Sequence, residues 1–115
     1  MVAVRRYCGQ FLFEIGNGLI KEYCGPYLFQ FDDKKYRRYC GTFLYEFEGN
    51  YIKEYCGRRL LEFDGRYVRR YCGPYLYEFD GRKIRRYCGE YLFEVTGDLT
   101  RAEQMALITF LFGNC

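Results

Sequence analysis

Hydrophobic and polar residues alternate along most of this chain in short runs, of which Tyr75-Leu76-Tyr77-Glu78-Phe79 and Arg82-Lys83-Ile84-Arg85-Arg86-Tyr87-Cys88 are typical. A period of two, carried by aromatic and β-branched residues, predicts strands. Turn signals separate the runs. One is the Gly of a Tyr-Cys-Gly triplet with its follower, a Gly-X pair suited to a two-residue turn. The other is Asp64-Gly65 or Asp80-Gly81, with Glu48-Gly49, Gly16-Asn17 and Asp32-Asp33 as variants. Two chain reversals are therefore expected in every sixteen residues.

The triplet recurs without insertion at Tyr7-Cys8-Gly9, Tyr23-Cys24-Gly25, Tyr39-Cys40-Gly41, Tyr55-Cys56-Gly57, Tyr71-Cys72-Gly73 and Tyr87-Cys88-Gly89. A fixed period means that every unit meets its neighbours in the same way. Residues 1–99 read as a six-fold hairpin-repeat domain whose opening, 1–6, is a partial unit. In style the pattern resembles other tandem-hairpin repeats, such as the MORN and YD types, whose consensus motifs and unit lengths differ from this one. That resemblance implies only the scaffold role such repeats usually serve.

If consecutive strands pair antiparallel, Tyr75, Tyr77 and Phe79 share a face with Ile84 and Cys88, and this face reads as the core. Leu76, Glu78, Lys83, Arg85 and Tyr87 share the other. Arg86 and its equivalents Glu22, Arg38, Glu54 and Arg70 fit the core face poorly. A β-bulge within the Arg-Arg-Tyr segment would turn that charge outward and bring the tyrosine inward, so two facings of the second strand stay open.

The same period also describes a two-sided β-solenoid with a C-terminal helical cap, and the charges weigh against it. Stacked copies would place Glu14, Glu46, Glu62, Glu78 and Glu94 in a ladder of like charge about 4.8 Å apart. In an antiparallel meander each base instead faces the acid position of the following unit: Lys21 faces Gln30, Arg37 faces Glu46 and Lys53 faces Glu62. The expected fold is thus mainly β, an antiparallel meander curled or closed into a barrel-like body that hides its edges.

Thr100-Arg101-Ala102-Glu103 fits a helix capping box, and 104–112 are apolar almost all round, with Gly113 placed to end the helix. The segment 100–112 is expected to plug the curled sheet or cap its open end, with Met105, Ile108 and Phe112 as contact residues. The same helix is also able to lie in a partner's groove.

Composition changes this picture only in places. Fourteen Tyr and eleven Phe, with no Trp and no His, reinforce the strand reading. At 115 residues one core is expected. A net charge of +3 with interleaved signs announces no polyanion-binding tail. No apolar stretch near Met1–Arg6 suits a secretion signal, and the apolar run Met105–Phe112 falls short of the about twenty residues that span a bilayer, so a cytoplasmic protein without a membrane role is expected.

Candidate chemistry is sparse. Seven cysteines invite a disulfide reading, but in a meander the repeat cysteines lie about 9.5 Å apart, beyond the about 7 Å a disulfide tolerates. They are expected as small buried residues at strand ends. Without histidine or a CxxC pair no metal site or cofactor is expected. A group repeated six times looks structural rather than catalytic, and no small-molecule substrate is inferred.

What remains is a surface. Arg37, Arg38, Arg69, Arg70, Arg85 and Arg86, interleaved with Tyr39, Tyr71 and Tyr87, form the candidate interaction surface. The expected function is a non-enzymatic scaffold or protein-interaction module that binds a partner protein or its own copies as a homo-oligomer. The alternative is single-stranded nucleic acid, with cations for phosphate and rings for bases.

Overall fold

The computed structural model describes residues 2–80 and 82–112. Twelve antiparallel strands follow one another as a meander: β1 (Val2–Arg6), β2 (Phe11–Gly16), β3 (Leu19–Glu22), β4 (Tyr27–Phe31), β5 (Lys35–Arg38), β6 (Phe43–Glu48), β7 (Tyr51–Glu54), β8 (Arg59–Phe63), β9 (Tyr67–Arg70), β10 (Tyr75–Asp80), β11 (Lys83–Arg86) and β12 (Tyr91–Val95). The sheet closes because β1 pairs with β12 as well as with β2, giving a barrel with no free edge. One helix, α1 (Arg101–Phe112), follows. The molecule is a disc of 36 × 36 × 21 Å. A solenoid is ruled out, since equivalent residues lie two strands apart.

Each unit consists of a first strand, a turn, a second strand and the Tyr-Cys-Gly turn. Within a unit the pairing is regular, as in Tyr77↔Arg86, Glu78↔Arg85 and Phe79↔Ile84. Between units it is not. Ile20 pairs with Phe29 but Lys21 pairs with Tyr27, so Leu28 is an extra residue, and the same shift recurs at all six unit boundaries. A bulge adds local twist and bend to its strand. Six identical bends in one direction are what curl so short a meander into a ring.

The bulge corrects two sequence expectations. It lies at the leucine of the first strand and not in the Arg-Arg-Tyr segment, so the repeat tyrosines stay outside, 39–45 % exposed. It also reverses the facing of the residues before it: Tyr75 pairs with outward-facing Arg69 and is 44 % exposed, whereas Leu76 packs on the core. Arg38, Arg70 and Arg86 keep the parity of the core face but sit at its end, exposed on the rim.

The hairpin turn inside each unit, and not the bulge, sets the charge pairing. Each base opposes the acid position of its own unit: Lys21↔Glu14, Arg37↔Gln30, Lys53↔Glu46 and Arg69↔Glu62. The expected partner in the following unit is replaced by an aromatic, as in Arg37↔Phe43.

The seam obeys the rule of the interior. Val4↔Val95, Arg5↔Glu94 and Arg6↔Phe93 reproduce the within-unit register, and Arg5 Nη2 lies 2.7 Å from Glu94 Oε1. The half-unit at the start of the chain supplies the second strand of the sixth hairpin.

α1 fills the lumen. Thr100 and Glu103 form the capping box, the Thr100 N–H donating to Glu103 Oε1 at 2.9 Å and the Glu103 N–H to Thr100 Oγ1 at 3.2 Å. Met105, Ala106, Leu107, Ile108 and Thr109 are consecutive and all buried, which at 100° per residue requires protein on every side. Phe110 meets Phe13 and Phe29 edge-on at 4.5 and 5.5 Å, while Phe112 stacks on Tyr77 across the ring at 3.8 Å. Met105, Ile108 and Phe112 are 2 %, 0 % and 6 % exposed, so the helix keeps no apolar face for a partner's groove. Gly81 and Gly113, expected at a turn and at the helix end, lie outside the described residues.

Candidate interaction surface

Outside the barrel the repeat is written in ion pairs and rings. Arg69 Nη2 lies 2.6 Å from Glu62 Oε1, and Arg85 Nε donates to Glu78 Oε1 at 3.0 Å. Arg37 donates to Gln30 Oε1 through Nε and Nη2, at 3.2 and 2.8 Å. Glu78 is the most enclosed, 3 % exposed, because Arg66 also closes over it, with Nη2 2.7 Å from Oε2. Burial alone would raise its pKa. The hydrogen bonds from Arg85 and Arg66 outweigh burial and hold it below the usual carboxylate range.

Above this row runs a belt of aromatic pairs. The tyrosine of each Tyr-Cys-Gly turn packs on the residue that opens its unit's first strand: Phe11–Tyr23, Tyr27–Tyr39, Phe43–Tyr55, Tyr75–Tyr87 and, across the seam, Tyr91–Tyr7, with ring centroids 5.1–5.2 Å apart. In the fourth unit the ring is replaced by Arg59, which lies 5.6 Å from the centroid of Tyr71 and donates to its hydroxyl at 3.4 Å. A third group leans on several pairs. Lys35 sits 4.9 Å from Phe43, Tyr67 sits 5.0 Å from Tyr75, and Lys83 sits 5.0 Å from Tyr91. Contacts of this kind contribute about 0.5–1.5 kcal/mol each when well formed. Yet the rings stay around two-fifths exposed, a large aromatic area to leave in water.

The Tyr-Cys-Gly turns crown one rim. In the first, the Gly9 N–H donates to the Arg6 carbonyl at 2.8 Å. The cysteine at the third position has φ of 57°, the left-handed value that a type II turn needs and that usually selects glycine or asparagine. Gly9 follows for another reason: a Cβ there would stand 2.9 Å from Arg6 Cβ. All six repeat cysteines adopt this conformation, and all six are unbridged and exposed, which corrects the expectation that they are buried. Cys115 lies outside the described residues.

The opposite rim carries the hairpin turns within units. Asn17 and Gly18 both have positive φ, so the first of these turns falls one residue later than Gly16-Asn17. Asp32 and Asp64 instead fold four-residue turns, each carboxylate accepting two backbone N–H bonds at 2.8–3.0 Å. For Asp64 those bonds overcome burial and lower the pKa.

The expected surface residues thus divide in three. Arg37, Arg69 and Arg85 lie on the outer wall, bonded to Gln30, Glu62 and Glu78. Arg38, Arg70 and Arg86 stand exposed on the cysteine rim, where Arg86 Nε comes within 3.8 Å of Glu90. Tyr39, Tyr71 and Tyr87 belong to the belt. The rings that pack on the turn tyrosines of five units, Phe11, Tyr27, Phe43, Tyr75 and Tyr91, are absent from the expected surface, although an aromatic two places after the turn glycine in five of six units marks them.

Among the described residues no buried side-chain polar atom lacks a partner, and no group of three His, Cys, Asp or Glu is placed to hold a metal ion. A hollow of about 230 Å³ at the barrel mouth is lined chiefly by Phe29, Tyr36, Leu44, Tyr45 and Phe110, with Arg38 at its edge. No described helix is long and apolar enough to cross a membrane. Strands of four to six residues are also shorter than the about nine to eleven that a membrane-spanning strand needs. No protein-family model matches the chain, and neither does any curated protein or solved structure.

Proposed function

We propose that this protein is a non-enzymatic scaffold that binds a partner protein, or further copies of itself, through the outer aromatic belt. The observation that carries the reading is the five ring pairs, one in every unit but the fourth, held partly exposed on a closed barrel. Aromatic side chains on rigid elements offer contact area with little entropy left to lose, which is why they dominate interface hot spots. Six similar ridges on one rigid ring also suit a repeated or multivalent partner.

Single-stranded nucleic acid is the second reading, favoured by rings beside guanidinium groups, as at Arg59 and Tyr71. The engagement of Arg37, Arg69 and Arg85 with Gln30, Glu62 and Glu78 weighs against it. The protein is proposed to work in the cytoplasm, where six unpaired exposed thiols stay reduced.

A photo-crosslinking residue placed at Tyr39 and, as control, at Asn17 on the opposite rim tests the scaffold in living host cells. Protein adducts from position 39, with few from position 17 and loss on Tyr27→Ser, are expected. Equal labelling from both rims would end the proposal. Filter binding of single-stranded RNA at low salt is expected to show no retention, and salt-sensitive retention would favour the second reading.

A further inference from the structure

Six thiols on one rim share a backbone geometry and differ in the charge around them. Neighbouring cysteines are two strand spacings apart, about 9.5 Å, too far for a disulfide between one and the next. The two extremes are adjacent. At Cys24 the carboxylate of Glu22 folds back over the turn, its Oε2 3.1 Å from the position a Cβ on Gly25 would take. The carboxylate of Glu14, 3.4 Å from Lys21 Nζ, accepts from the Cys24 N–H at 3.5 Å. At Cys40 the corresponding positions are Arg38 and Gln30. Arg37 bonds the neutral Gln30 there, and among the described residues no carboxylate forms an ion pair with Arg37 or Arg38. The Cys24 turn carries Glu14, Glu22 and Lys21 at these positions, and the Cys40 turn carries two arginines and no acid.

We propose that the Tyr-Cys-Gly rim is a site of reversible S-thiolation by small anionic disulfides, with Cys40 its preferred position and Cys24 its poorest. The Cys40 thiolate attacks one sulfur of the disulfide, forming a new S–S bond to Cys40 Sγ. The reagent's own S–S bond breaks, and its other half leaves as a thiolate that takes up the proton Cys40 released. The small disulfide is the oxidant, and no other reactant is needed. The modified residue sits on an exposed turn, so the adduct displaces no core packing.

Brief reaction of the folded protein with limiting oxidised glutathione, and separately with uncharged hydroxyethyl disulfide, tests this. Trypsin places each of the six cysteines in its own peptide for quantification by mass spectrometry. The neutral reagent cancels differences in exposure and thiol ionisation. With glutathione disulfide at low salt the Cys40 to Cys24 labelling ratio is expected to be about tenfold above that with the neutral reagent, and to fall towards it in 1 M salt, where the Debye length is about 3 Å. The double variant Gln30→Glu/Arg38→Glu, which installs side chains that other units carry at those positions, is expected to remove the preference. Equal ratios with the two reagents in the unmodified chain would overturn the proposal, whatever the variant does. So would a preference that survives both substitutions or 1 M salt.

Discussion

The two surfaces of the same twelve strands differ in how faithfully they keep the repeat. Outside, the acid position is Glu in five of six units, the base is always Lys or Arg, and the turn tyrosine never varies. Inside, one layer reads Val4, Ile20, Tyr36, Ile52, Val68 and Ile84, and the next runs from Ile15 through four phenylalanines to Val95. Every member of both layers is buried. An outer residue meets the same positions in every unit, so one solution serves six times with few changes. A single helix inside a six-fold ring cannot present the same surface six times, and the lining must be fitted to it position by position. Repetition survives where the environment repeats.

Breaking the lumen is expected to have the largest effect. Leu107→Asp places an unpaired charge at a site of 0 % exposure and is expected to leave no cooperative thermal transition by circular dichroism. Leu107→Ala keeps the fold and costs about 2–5 kcal/mol in urea denaturation. Making the lining more regular also destabilises: Tyr36→Ile copies the commonest residue of its layer yet removes stacking on Phe29, 5.1 Å away, and is expected to cost about 1–2 kcal/mol.

The outer wall answers to pH. Glu78 has a folded-state pKa below its unfolded value, so its contribution is complete above about pH 4.3 and is lost as the pH falls through the folded value. The thermal midpoint of Glu78→Gln is expected to decline less steeply in acid than that of the unmodified chain. The smallest change is Tyr39→Ser, which loses one half-exposed ring contact and is expected to cost about 1 kcal/mol or less. A loss as large as that of Leu107→Ala would mean that the belt holds the barrel together, and the contrast between the two surfaces would fail.

Much of this architecture is legible in the sequence because it is local. Alternation gives the strands, and Thr100 with Glu103 gives the helix start. The glycine and aspartate pairs mark where the chain reverses, although the turns centre on Tyr7-Cys8 instead of Gly9-Gln10 and on Asn17-Gly18 instead of Gly16-Asn17. The opposition of like charges in a stacked solenoid separates the two topologies. The bulge is not legible. Nothing in Tyr75-Leu76-Tyr77 marks Leu76 as an extra residue until its neighbours are in register, and one slipped residue moves every preceding side chain to the other face. From that follow the missed aromatic partners, whereas the acid and base meet within one unit because the hairpin turn lies one residue later than expected. The exposure of the cysteines is equally illegible. Residue type favours burial for cysteine, but a left-handed turn at a strand end overrides it.

The seam has a consequence for how the molecule is made. Every other pairing joins strands next to each other in the chain, but Arg5 must wait for Glu94, eighty-nine residues later. At roughly five to twenty residues per second on the ribosome, β1 passes several seconds as a bare edge. An incomplete copy meanwhile offers the same hydrogen-bonding groups to any nascent neighbour. Closing one ring and joining two chains are therefore rival outcomes of the same strand pairing.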